Sequence, residues 1–105
     1  MVGEILDFQR LTIRQATRRL TRLFAEDRFQ PMPLAVVKLQ KRGFDLEDVR
    51  SAIRAGRVVA RRRQDDHDLY EFEGVTFDGA LLRLLFDIRK TALLLDLVKT
   101  RRSRR

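Results

Sequence analysis

Four arginines, Arg57, Arg61, Arg62 and Arg63, crowd one short stretch of the chain. Guanidinium groups at this density suit planar, bidentate contact with phosphate. On an extended strand alternate side chains share a face, so Arg61 and Arg63 point together and Arg62 points away. Just beyond stand His67, Tyr70 and Glu71, three residue types able to move a proton, and Arg83 follows on an adjacent predicted strand. Metal-independent cleavage of an RNA phosphodiester needs cations to stabilise the phosphorane charge, together with a general base and a general acid. The candidate catalytic set is Arg61, Arg63 and Arg83 on the phosphate, with Tyr70 and Glu71 as proton-transfer groups. A solvated basic strand edge that discourages aggregation is the plainer alternative.

His67 is the sole histidine and sits in the run Asp65-Asp66-His67-Asp68. It is the residue type that titrates near neutral pH, which makes it a further acid–base candidate; an exposed loop histidine is the simpler reading. Four consecutive side chains rarely converge on one ion, so no metal site is expected, and no cofactor.

A second basic feature lies earlier. Arg10, Arg14, Arg18 and Arg22 fall four apart, with no acid between Gln9 and Arg22. On a helix that ladder drifts only ~40° per step and makes one cationic strip about 18 Å long. Such a strip could track phosphates or meet an acidic partner helix, and its alternative is a solvated face partly balanced by Glu26 and Asp27. Arg57, Arg62, Lys99 and Arg101 complete the candidate nucleic-acid-binding set. Arg101–Arg105 is too short to fold alone and reads as a flexible electrostatic tail.

The whole composition agrees with a polyanion as partner. Of 105 residues, 23 are Lys or Arg and 15 are Asp or Glu, a formal charge of +8, and 19 of the cations are Arg. RNA or DNA is the obvious instance. Hydrophobic residues make up 44%, too many for a disordered chain, so the charge rides on one folded domain. The absence of Cys excludes disulfides, thiolate zinc sites and cysteine nucleophiles. There is no Gly-rich phosphate loop, nucleophile elbow or metalloprotease helix motif. No run approaches the ~18 apolar residues of a membrane span, and the start lacks the pattern of a signal peptide. The expectation is a soluble, cytoplasmic protein with no membrane partner.

The elements that must position these groups change character along the chain. Between Phe8 and Arg28, Ile13, Ala16, Leu20, Leu23 and Phe24 follow the spacing of one helical face. Pro31 and Pro33 break it. A second helix is expected from Leu34 to about Lys41, ended by Gly43, and a third from the N-cap Asp45 to Ala55, ended by Gly56. Val58–Ala60 is short and β-branched, and Leu69–Phe77 alternates as a half-buried strand with bends at Gly74 and Gly79. Ala80–Thr100 fits two strands turning at Arg89-Lys90, or one helix, equally well by periodicity.

From Leu34 onward the order of residues resembles a domain-of-unknown-function family, numbered 4258, that is grouped with RelE-like ribonuclease toxins. The resemblance is carried by Ala35, Lys38, Arg42-Gly43-Phe44, Asp48-Val49, Ile53 and Gly56-Arg57-Val58-Val59, then by Tyr70, Gly74, Gly79 and the apolar stretches Leu81–Ile88 and Leu93–Val98. Leu34 occupies the family's histidine position. The resemblance implies an α+β fold, two or three helices on a small antiparallel sheet of three to four strands. That tips Ala80–Thr100 to a strand hairpin and leaves the Arg helix as an addition. It also implies an RNA-cleaving toxin of a bacterial toxin–antitoxin pair, with an antitoxin as protein partner. A non-catalytic nucleic-acid-binding module, or an adaptor docking on an acidic protein, are the rival expectations.

Overall fold

A computed structural model describes residues 11–102, and among these three helices and five strands form the fold. Helix α1 (Ile13–Ala25) starts on a capping box: Thr12 Oγ1 accepts from Gln15 N at 3.1 Å, and Gln15 Oε1 accepts from Thr12 N at 2.9 Å. It buries Ala16, Leu20, Leu23 and Phe24. Asp27 then takes φ 58° and turns the chain into β1 (Phe29–Pro31), where Phe29 stacks on Phe24 at 4.1 Å.

Pro33, preorganised for a first helical turn, opens α2 (Pro33–Lys41), which buries Ala35 and Leu39. Helix α3 (Leu46–Ala55) has its own capping box, with Asp45 and Asp48 exchanging backbone-to-carboxylate bonds at 2.9 and 3.0 Å. Glu47 and Asp48 in its first turn and Arg54 in its last complement the helix dipole.

The strands are β2 (Arg57–Gln64), β3 (His67–Val75), β4 (Leu81–Ile88) and β5 (Ala92–Arg101). The sheet runs β1-β5-β4-β3-β2; β1 is parallel to β5 and the other pairs are antiparallel. It is thus a mixed sheet of five strands, where an antiparallel one of three to four was expected. The additional pairing comes from β1, whose three residues end at Pro31, two before Pro33, and give no alternation to read.

β2 and β3 are joined by Asp65-Asp66, both at positive φ (50° and 66°), the geometry that matches the twist of a two-residue hairpin. β4 and β5 form the expected hairpin across Arg89–Thr91, which settles Ala80–Thr100 in favour of strands.

All three helices lie on one face of the sheet. Tyr70, Phe72, Leu82, Leu84, Phe86, Ile88 and Leu94 turn toward them and join one core with Leu20, Phe24, Leu39, Val49 and Ile53. The Arg helix is part of this core, for Phe24 meets Phe86 edge-on at 5.7 Å. Gly74 is no bend but a position inside β3 where α3 comes closest: a Cβ there would stand 2.0 Å from Ala52 O. Leu69 and Leu85 are buried on the opposite face, outside the helix-side core. No helix among the described residues is long and apolar enough to cross a membrane.

Candidate nucleic-acid interface

Strand register separates the groups that sequence placed on one phosphate. Arg61 pairs with Tyr70 and Arg63 with Asp68, so these side chains turn to the helix side of the sheet. Arg62 turns the other way, as expected. Arg83 pairs with Glu73 and Lys99 and belongs to the open face. Glu71 is on that open face too, one residue from Tyr70 and therefore on the opposite side from it. The proposed grouping of Arg61, Arg63 and Arg83 is not assembled, because Arg83 shares a face with Arg62, not with Arg61 and Arg63.

The proton-transfer candidates are engaged elsewhere. Tyr70 is 2% exposed; its hydroxyl donates to Leu11 O at 3.2 Å and accepts from Leu11 N at 3.1 Å. Burial pushes its pKa above the ordinary 10.0, against the opposing pull of the Leu11 hydrogen bond. Glu71 is held at both oxygens, Oε1 by Arg83 Nε at 2.9 Å and Oε2 by Arg62 Nε at 3.1 Å. A carboxylate held this way links β2, β3 and β4 across the open face. Glu73 adds a longer contact to Arg83 at 3.9 Å.

His67 is exposed where the β2–β3 turn enters β3. It lines a hollow of about 590 Å³ with Asp66, Asp87, Arg89, Lys90 and Leu93, away from Arg61. Arg61, Arg62, Arg63 and Asp68 line a separate hollow of about 500 Å³, where Asp68 pairs with Arg63 at 3.1 Å and Arg61 reaches Leu11 O at 3.4 Å. No three His, Asp or Glu residues among those described are placed to hold a metal ion.

The α1 ladder, by contrast, is displayed intact over its described length. Arg14, Arg18 and Arg22 are exposed on one side of α1 and make no ion pair among the described residues. Arg10 lies outside the described residues. The expected balancing acids turn away from the ladder: Glu26 pairs with Arg28 at 3.5 Å and Asp27 with Arg50 at 2.8 Å. From Arg14 to Arg22 the strip is about 12 Å long.

The start of α1 abuts β2 through Leu11 and Arg61, and Thr17 Oγ1 accepts from Val58 N at 2.9 Å. That hydroxyl satisfies an outward-facing edge donor beside the bulge at Val59 and fixes the helix against the sheet.

The other nucleic-acid candidates are spread along the open face. Arg57, Lys99 and Arg101 are exposed there, and Arg101 closes β5 instead of belonging to a loose tail. Arg102 also lies in the fold, its guanidinium 4.4 Å from the centre of the Phe44 ring. Residues 103–105 are outside the described range. On the open face Arg57, Arg62, Arg83, Lys99 and Arg101 stand with Glu71 and Glu73, while Asp87 pairs with Arg89 at 3.0 Å and Asp96 with Lys38 at 2.8 Å.

Sequence reading missed Arg54. It ends α3, is exposed, and lines a cleft of about 260 Å³ with Thr21 and Ala25 of α1. A basic last turn was its only local signal; its nearness to α1 is a tertiary fact. Comparisons with family models, with curated proteins and with solved structures find no match to this chain.

Proposed function

We propose that this protein is an RNA-binding module that grips the phosphate backbone along α1. One observation carries the reading: Arg14, Arg18 and Arg22 share an exposed helix face and make no ion pair among the described residues, while Glu26 and Asp27 after the helix pair with Arg28 and Arg50. Uncompensated guanidiniums at a helical spacing of about 6 Å per step can meet successive phosphates of one strand. Geometry argues for a polyanion, and the family resemblance argues that it is RNA. Cytoplasmic RNA is the natural target of such a surface.

The test is binding of fluorescent RNA as a function of salt. The wild type is expected to lose affinity steeply, and Arg14→Gln/Arg18→Gln/Arg22→Gln to flatten the slope by about 2, three contacts at ~0.7 each. Salt-insensitive binding, or a triple variant with the wild-type slope, overturns the proposal.

A second reading keeps the ribonuclease toxin, silenced by an antitoxin, on the strength of Arg61 and Arg63 sharing one hollow with Asp68. The same RNA run on a denaturing gel after incubation in EDTA separates the two. Intact RNA supports the binding module; cleavage lost in Arg61→Ala/Arg63→Ala supports the toxin.

A further inference from the structure

Phe77 is 93% exposed, in a loop where a polar residue would turn the chain as well. The loop is not loose. Thr76 N donates to Ala80 O at 2.8 Å, Gly79 N to Thr76 O at 2.9 Å, and Ala80 N to Thr76 Oγ1 at 3.0 Å. Thr76 is itself buried, at 4% exposure, and Gly79 takes φ 90°, a conformation that glycine adopts without a Cβ clash. Four residues are thus pinned so that one aromatic ring stands in solvent. Val75, 47% exposed, extends the apolar surface below it.

Val75, two residues before the ring, shares a hollow of about 280 Å³ with Arg57, Glu73 and Leu81. The cleft between α1 and α3 is lined by Thr21, Ala25, Asp27, Arg50 and Arg54. Arg54 and Arg57 stand three positions apart, where α3 runs into β2. Arg54 and Arg57 are exposed and make no ion pair among the described residues. Arg54 thus stands beside α1 across the cleft, and Arg57 stands beside Val75, which leads into the exposed ring.

We propose that Phe77, approached through Arg54 and Arg57, is a stacking platform for an unpaired base, and that the RNA bound by this protein is single-stranded. The inference rests on the RNA-binding reading above and narrows its ligand. Free cations followed by an exposed ring are the elements of single-strand binding, in which a guanidinium takes the phosphate and the ring takes the base. A duplex keeps its bases stacked inside and offers a loop phenylalanine nothing to stack on.

The experiment compares a short fluorescent oligoadenylate with a blunt RNA duplex, using the full chain. Phe77→Ala is expected to weaken oligoadenylate binding about tenfold, the loss of one base–aromatic stack, and to leave duplex binding unchanged. Its salt slope should match the wild type, since no phosphate contact is removed. Phe77→Trp should restore binding, and both variants should unfold at the wild-type temperature because the ring is outside the core. Equal binding of oligoadenylate by Phe77→Ala and wild type overturns the platform, as does an equal loss on strand and duplex. If Phe77→Ala is silent while the α1 triple variant loses affinity, only this inference falls. If the wild type binds neither RNA, both readings fall.

Discussion

Tyr70 shows how a residue type suited to chemistry can be spent on structure. Its hydroxyl satisfies both backbone groups of Leu11, the residue that leads into α1, and so ties the helix layer to β3 across 59 positions of sequence. Removing it should strand the buried N–H of Leu11 and leave its C=O only the long contact to Arg61 at 3.4 Å. Tyr70→Phe is expected to cost about 1–3 kcal/mol in urea unfolding, the penalty for unsatisfied buried partners.

The raised pKa adds a sign. Burial disfavours the phenolate, so the folded state holds its proton above the ordinary 10.0 while the unfolded state loses it. The stabilisation from this group is complete below that value and is lost as pH climbs through the folded pKa. The alkaline fall in stability should therefore be shallower in Tyr70→Phe than in the wild type; parallel curves would contradict it. The sequence showed that Tyr70 faces away from Glu71, by period two. It could not show Leu11 above it, which is a contact between elements.

At the scale of elements, α3 and β3 meet through glycine. Gly56 and Gly74 face each other so tightly that a Cβ on Gly56 would stand 2.8 Å from Gly74 Cα, and one on Gly74 would strike the Ala52 carbonyl at 2.0 Å. Neither neighbour is a side chain tip able to swing aside. Gly74→Ala is expected to cost about 3 kcal/mol, the upper end for overpacking, read as a lower urea midpoint. A variant as stable as the wild type would mean that α3 does not pack this close.

The helices themselves were legible: Asp45 caps α3, Gly56 ends it, and the apolar spacing of α1 matches its buried face. The β4–β5 hairpin was not, because Leu, Arg and Phe at these positions satisfy both periods. Pairing with β3 on one side and β1 on the other decided it, through backbone hydrogen bonds no local pattern contains.

Across the whole molecule, charge is sorted by face. On the open side of the sheet Arg62 and Arg83 are paired with Glu71 and Glu73, while Arg14, Arg18 and Arg22 of α1 make no ion pair among the described residues. The paired charges sit mostly at the surface, where each bridge is worth about 0–1 kcal/mol, whereas the net +8 repels itself over the whole domain. Adding salt to a dilute buffer should therefore raise the urea midpoint even as it weakens RNA binding. A midpoint that falls with salt would show that the ion pairs outweigh the repulsion. The two responses have opposite signs because one is relief of intramolecular repulsion and the other is loss of counterion release.

The sequence alone determined the local periods: which residues of α1 and β3 turn inward, where α3 begins and ends, and that Arg61 and Arg63 share a side. These depend on 3.6- and two-residue repeats and on caps, all written within a few positions. Which cations meet which acids was decided by tertiary structure. Arg83 stands with Arg62 because strand register sets it across from Glu73, one step from the Glu71 that both arginines bind. Arg54 stands beside Thr21 because α3 packs on α1, and Phe77 is held in solvent because Thr76 folds under it. The places of Arg83 and Arg54 are relations between separate elements, one fixed by strand register and the other by the packing of the helix layer.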